Sequence, residues 1–278
     1  MRCVTIEAMR NYKIGIFDSG LGGLTIAKGI FEQLPHYDYI YLGDNARVPY
    51  GSRSQRVVYR FVKNAVEELF RRDCFLIIIA CNTASAEALA KIQQEYLPEH
   101  HPERRVLGVI RPAVEAAITG NVRRIGVLAT ESTVASTAFI QEIHKLHPDI
   151  EVIQNDAPLL VPIVEAGELG WEGTRLILEK YLAPFNEKLV DALILGCTHY
   201  GLLKDQIRQL LRPEIRLIVE NEIMPAKLMD YLMRHPEIEE KLSKNRTRLF
   251  LVTDKSPRYE ELTSLFLGRR IELELVEL

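Results

Sequence analysis

The sequence predicts an α/β fold: two similar parallel-sheet α/β domains with the candidate site in the cleft between them. Three observations predict it. Strand-like apolar runs alternate with helical patterns, the runs are apolar almost throughout, and one strand-then-cysteine unit occurs twice. The runs fall at 13–17, 39–42, 75–80, 106–110, 124–129, 151–155, 191–195, 216–219 and 248–252. Helical periodicity appears at 24–33, 54–71, 84–96, 132–146, 173–181, 201–211 and 225–233. A run such as Leu76-Ile77-Ile78-Ile79 suits a sheet covered by helices on both faces. At 278 residues the chain is long enough for one large domain or two of ordinary size. Composition marks only weak breaks, at 97–105 and around Arg212-Pro213.

The repeat favours two domains. Phe75-Leu-Ile-Ile-Ile-Ala-Cys81-Asn-Thr83 and Asp191-Ala-Leu-Ile-Leu-Gly-Cys197-Thr-His199 share one design. Each is a buried strand, a small residue, a cysteine, two polar residues and then a helical pattern. The two cysteines stand about one domain length apart in the chain.

Apolar residues make up 47% of the chain, enough for a core, and 35 basic against 38 acidic residues leave a net charge of −3. That balance gives no general attraction to nucleic acid or to an anionic membrane. No apolar run approaches the ~18 residues a spanning helix needs. The segment 1–11 carries Arg2, Glu7 and Arg10 and lacks the apolar centre of a leader peptide, so a cytoplasmic protein is expected. Cys3, Cys74, Cys81 and Cys197 match neither paired zinc spacing nor a disulfide framework and are expected as free thiols.

Ligands of parallel α/β sheets bind beyond the carboxyl ends of the strands. Cys81 and Cys197 both fall there, each before a helix whose positive end favours thiolate and is expected to lower the pKa. Asn82, Thr83, Thr198 and His199 supply donors and acceptors for a carboxylate or an amine, although Asn and Thr also serve as plain helix caps. A third strand end is Asp18-Ser19-Gly20-Leu-Gly-Gly23, where Asp18 suits an ammonium group and the glycines admit an anion. It has neither the GxGxxG order nor the phosphate-loop pattern, so a nucleotide is not expected. A fourth is Gly43-Asp-Asn-Ala-Arg-Val-Pro49-Tyr50-Gly51-Ser52, whose backbone N–H groups could take a carboxylate.

A zinc site would need grouped ligands, and Cys81, Cys197 and His199 lie singly. A nucleophilic cysteine would need only one thiol. Taking a proton from one face of a carbon and returning one to the other face needs two opposed groups. A matched pair of thiols between two similar halves supplies that geometry, provided that the cleft stabilises the carbanion electrostatically.

The motifs Asp18-Ser-Gly-Leu-Gly-Gly, Tyr41-Leu-Gly-Asp-Asn-Ala-Arg-Val-Pro-Tyr-Gly-Ser52, Ala80-Cys-Asn-Thr-Ala-Ser-Ala86 and Leu195-Gly-Cys-Thr-His-Tyr200 resemble glutamate racemase. Gly126-Val-Leu-Ala-Thr130 and Val161-Pro-Ile-Val-Glu-Ala-Gly-Glu168 resemble it too, and the likeness runs in order over 13–227. The resemblance implies cofactor-independent interconversion of L- and D-glutamate, supplying D-glutamate for peptidoglycan and so for cell-wall biogenesis and cell shape. It implies catalytic roles for Cys81, Cys197, Asp18, His199 and Glu165, and no metal. The substrate-binding positions it implies are Asp18, Ser19, Pro49, Tyr50, Gly51, Ser52, Asn82, Thr83, Thr130, Thr198 and His199. The expected domains are 1–107 with 218–278, carrying Asp18 and Cys81, and 108–217, carrying Glu165, Cys197 and His199. Expected partners are glutamate and a second copy of the chain in a homodimer. A racemase for aspartate or another acid, and a binding protein of this fold with little catalysis, share the same motifs. The chain departs from the family at Arg111, usually Glu, at Ala157, usually Cys, and at Glu220-Asn221-Glu222, usually Asp-Ser-Gly.

Overall fold

The computed structural model describes residues 11–278; Cys3 and the leader-peptide reading of 1–11, apart from Asn11, lie outside the described residues. Ten strands are present among them. These are β1 (Lys13–Asp18), β2 (Tyr39–Gly43), β3 (Cys74–Ile79), β4 (Arg105–Gly108) and β5 (Arg124–Ala129). The chain continues with β6 (Glu151–Asp156), β7 (Ala192–Gly196), β8 (Arg216–Val219), β9 (Arg248–Val252) and β10 (Glu274–Leu275). The first helices are α1 (Leu24–Gln33), α2 (Gln55–Arg71), α3 (Asn82–Lys91), α4 (Leu97–His100) and α5 (Ile110–Ala117). Then come α6 (Glu131–Ala135), α7 (Ala138–Leu146), α8 (Leu160–Glu165) and α9 (Glu172–Glu187). The last are α10 (Lys204–Leu210), α11 (Glu220–Arg234), α12 (Pro236–Glu239) and α13 (Pro257–Leu267).

The predicted class holds. Two parallel sheets form, ordered β10-β9-β2-β1-β3-β4 and β6-β5-β7-β8. The order β2-β1-β3-β4 of the first is repeated by β6-β5-β7-β8 in the second, so the internal echo of the sequence is also topological. β1 corresponds to β5 and β3 to β7. In each sheet the chain leaves the first of these toward one edge and returns to the other side, which opens a crevice at their carboxyl ends. Cys81 follows β3 and Cys197 follows β7, at equivalent places. After β8 the chain crosses back and adds β9 and β10 at the β2 edge.

β2, β3 and β7 are buried at every position, as their unbroken apolar character requires. One apolar cluster takes in Leu24 and Ile26 of α1, Leu128 of β5 and Leu182 of α9, so the two halves share a core. No helix among the described residues is long and apolar enough to cross a membrane.

The structure differs from the sequence reading at several joints. The single helix expected at 132–146 is α6 and α7, parted at Thr137, whose φ of 56° breaks the helical path. The Ser136 hydroxyl donates to the Thr133 carbonyl and accepts from the Ala138 amide there. The strand expected through 110 ends at Gly108, and Ile110 opens α5; a short apolar run does not separate a strand from a buried helix. A methyl on Gly108 would stand 2.6 Å from Leu89 Cδ2 and 2.9 Å from Ser85 Oγ, so β4 packs closely on α3 there. The helix expected at 84–96 begins at Asn82 and passes into a π-helical turn, Ile92–Tyr96.

Tyr200, fully buried after β7, donates to the Ala157 carbonyl at 3.0 Å and lies 3.3 Å from that of Ala129. It joins the ends of β5 and β6 to the Cys197 loop. Tyr200→Phe leaves those carbonyls without the hydroxyl, so a loss of about 1–2 kcal/mol is expected, read as a lower urea midpoint at unchanged m.

Candidate active site

Each thiol is held by its loop. Cys81 has an extended backbone and caps α3, its Sγ accepting from the Ala84 amide at 3.4 Å. Ser19 Oγ, from the loop after β1, lies 3.2 Å from the same sulfur. Beside it Asp18 is 1% exposed; its Oδ2 accepts from the Gly20 amide at 3.0 Å, while Oδ1 has no partner among the described residues. Cys197 Sγ lies 3.8 Å from His199 Nδ1, and His199 Nε2 lies 3.1 Å from Glu165 Oε1. Phe266 of α13 stands edge-on to the His199 ring at 5.2 Å, and Arg258 donates to the Glu165 carbonyl at 3.0 Å. The returning C-terminal segment thus braces the second thiol's partners.

Close approaches bring the loops together. A methyl on Gly22 would sit 2.5 Å from both His199 Cε1 and Thr198 Oγ1, so only glycine lets the β1 loop reach the β7 loop. The Thr25 hydroxyl lies 3.2 Å from the Thr198 carbonyl oxygen. Thr83 at the start of α3 meets Thr130, 2.9 Å away, and Thr133, 3.2 Å away; the latter two lie 2.9 Å apart. Asn82 donates to Glu220 Oε2 at 2.7 Å, tying α3 to the start of α11.

The structure therefore gathers Asp18, Ser19, Cys81, Asn82, Thr83, Thr130, Glu165, Cys197, Thr198 and His199. Tyr50 is buried against Asp44, to whose Oδ2 its hydroxyl donates. Gly51 lies near Thr130, a methyl on it falling 3.7 Å from Thr130 Cβ. Pro49 and Ser52 are exposed. The sequence reading missed Thr133 as a member of the hydroxyl cluster. It noted Glu220 only as a departure, because nothing local links position 220 to position 82. Among the described residues no group of three or more His, Cys, Asp or Glu side chains is placed to hold a metal ion. A cavity of about 450 Å³ lies among α3, α5, α7 and α11, and neither thiol lines it.

The electrostatics overturn one expectation. Burial pushes the Cys81 thiol up to about 12, with the charge of Asp18 adding to the rise; hydrogen bonds from Ser19 and Ala84 oppose it. Burial likewise raises Cys197 well above an ordinary thiol, against the His199 backbone hydrogen bond, and the charge of Cys81 raises it further. The helix ends do not lower these pKa values, because partial charges do not replace the hydration of a whole thiolate. Burial raises Asp18 as well, opposed by the charge of His199. With the cleft free of substrate, both thiols keep their protons at neutral pH. Alkylation of Cys81 by iodoacetamide, mapped by mass spectrometry, should keep accelerating with pH beyond the ~8.5 of a free thiol. A plateau near that value would contradict the burial argument.

Comparison with known proteins agrees with this architecture. The model of the Asp/Glu/Hydantoin racemase family matches residues 20–223. The chain is 38% identical over 267 residues to the glutamate racemase of Chlorobaculum tepidum, covering 95% of each chain. It is 39% identical over 260 residues to that of Geobacter metallireducens, covering 93% of each. Among solved structures, the glutamate racemase of Francisella tularensis in complex with D-glutamate matches with a TM-score of 0.86 and 36% identity, over 96% of this chain and 98% of that one. Isoform RacE1 of the Bacillus anthracis glutamate racemase gives 0.87 and 34%, over 97% and 98%. With two parallel sheets repeating one strand order and a cysteine after the equivalent strand of each, this chain belongs to the Asp/Glu/Hydantoin racemase family.

Proposed function

We propose that this chain interconverts L- and D-glutamate by proton transfer between two thiols, without a cofactor. The observation that carries the reading is the pairing of Cys81 and Cys197. They come from equivalent strand ends of two sheets, are 7% and 8% exposed, and lie close enough for the charge of one to raise the pKa of the other. The relatives named for glutamate and the Francisella tularensis complex with D-glutamate support the choice of substrate.

In the proposed reaction one sulfur, as thiolate, takes the Cα proton and becomes a thiol; the electron pair stays on the substrate as a carbanion. The opposing thiol gives its proton to the other face of that carbon and is left as thiolate. The enzyme ends with its proton on the other sulfur, and the reverse reaction restores it. Ser19 and Asp18 serve Cys81, and His199 with Glu165 serves Cys197. The unpartnered Oδ1 of Asp18 suits the substrate ammonium, and the hydroxyls of Thr83, Thr130 and Thr133 suit a carboxylate. A cation brought between buried acids lowers their pKa, so substrate binding itself favours the thiolate that burial disfavours. Tyr50, Gly51, Thr198, Pro49 and Ser52 complete the proposed binding positions.

The domain division we adopt is 1–107 with 218–278 and 108–217, the site lying between. The setting we propose is the cytoplasm, with D-glutamate going to peptidoglycan and the chain acting as a homodimer.

In heavy water the enzyme should place deuterium at Cα of glutamate while interconverting the enantiomers. Cys81→Ala and Cys197→Ala should each lower racemisation by at least about 10²–10⁴-fold, the scale of a lost proton-transfer group. Absence of exchange with folded protein rejects the reading, and higher kcat/KM on aspartate rejects glutamate as the substrate.

A further inference from the structure

Glu220 opens α11 and is 2% exposed, yet no cation touches it among the described residues. Its one hydrogen bond is the 2.7 Å contact from Asn82 Nδ2 to Oε2. Two buried acceptors in the same pair are left over: Oε1 of Glu220 and Oδ1 of Asn82. Two acceptors cannot satisfy each other, but a hydroxyl and an acceptor can. A neutral carboxylic acid facing a primary amide makes two reciprocal hydrogen bonds, and both orphaned oxygens are then paired.

We propose that Glu220 carries a proton on Oε1 and forms a two-hydrogen-bond ring with the Asn82 amide, making Glu220 a positioning residue for the thiol site. This rests on the racemase reading above for its consequence, not for its chemistry. The acid O–H donates to Asn82 Oδ1 while Oε2 accepts from Nδ2. The ring fixes the amide next to Cys81 in the chain and leaves it one N–H for the substrate.

The surroundings favour the neutral acid. The charge of Asp18 at the β1 end adds to the burial of Glu220 in disfavouring a carboxylate there. Cations near α11 are engaged elsewhere. Lys227 holds Glu115 of α5, which Arg111 also meets, and Lys204 pairs with Glu222. On β8, Arg216 donates to the carbonyls of Ala117 and Thr119. Lys28 and Glu32 of α1 are exposed, and Glu237 and Glu239 of α12 pair with His235 and Lys244. Burial is the largest cause and pushes the carboxyl up to about 8, against the Asn82 hydrogen bond, which lowers it.

The test compares the full-length protein with Glu220→Gln and Glu220→Ala. Infrared difference spectra of the parent, taken as pH rises from about 6 through the ionisation, should lose a neutral-carboxyl C=O band that Glu220→Gln never shows. No such band, or one unchanged by Glu220→Gln, overturns the protonated pair whatever the protein's activity. Glutamine restores the ring as an amide–amide pair and cannot ionise. Its kcat/KM at neutral pH should stay within about threefold of the parent, while Glu220→Ala should fall about tenfold. The parent's kcat/KM should decline as pH passes about 8, and Glu220→Gln should lack that decline. Equal alkaline limbs in the two proteins reject the positioning role.

Stability gives a second reading that needs no catalysis. The folded state keeps this proton to about pH 8 whereas an ordinary glutamic acid loses it near 4.5, so the group's stabilising contribution drains away as pH rises through that window. The Tm advantage of Glu220→Gln over the parent should therefore grow across the window and then level. A difference that is flat with pH rejects the proton assignment.

Discussion

Cys81, Cys197, Asp18 and Glu220 are all nearly sealed from water, and the cost of charging any of them there governs the rest of the site. A helix N-terminus offers a nearby anion roughly 0.3–1 kcal/mol, whereas removing an ion from water costs several kcal/mol even after relaxation. Burial therefore wins at both thiols. The same exclusion of water that makes thiolate rare makes it a stronger base when it forms, because nothing solvates it. In the reaction we propose, an incoming cation switches such a site on, and an amino acid carries one in its ammonium group. Asp18, buried with one oxygen unpartnered among the described residues, is the group best suited to meet it.

That cleft exists because a strand order has been used twice. β2-β1-β3-β4 and β6-β5-β7-β8 each open a crevice between their first and third strands, and each crevice ends in a cysteine. Two crevices make one site only if the loops approach closely, and the sequence meets this demand with glycine. Gly22 leaves no room for a methyl against His199 and Thr198, and Gly23 none against Asp18. The Thr83–Thr130–Thr133 hydroxyls then bridge α3 of one half and α6 of the other. A cluster of three hydroxyls is held by neutral hydrogen bonds, so it couples the halves without adding charge to a place where charge is costly.

How much of this was legible follows from what each signal depends on. Strands such as β3 and β7 were readable because burial on both faces leaves an unbroken apolar run. The cysteine pair was readable because a repeated motif marks equivalent places in the fold. α5 was hidden because its first residue continues an apolar run, and neither α13 nor β10 stood out where the tail's pattern was weak. Thr133 was absorbed into what read as one long helix, whose break at Thr137 depends on a left-handed backbone no motif announces. The direction of the thiol pKa shifts was misjudged for a related reason. Sequence shows which helix follows a cysteine but not how completely the other half of the molecule covers it.

The departures from the family pattern separate by the same criterion. Ala157 is fully buried and its carbonyl accepts from Tyr200, so this position contributes packing and a backbone acceptor rather than charge. Arg111 reverses a charge on α5 but sits among Glu115 and Glu142, with Lys227 and Lys145 closing the chain of pairs. Those groups are partly exposed and screened, so the reversal is absorbed locally and contributes little to stability. Glu220 is different in kind. It adds an acidic proton beside two thiols that burial already keeps protonated, and among the described residues the Asn82 amide is its one side-chain partner. In a water-poor site the number of protons held is as much a part of the design as the positions of the atoms holding them, and residue 220 is where this chain sets that number for itself.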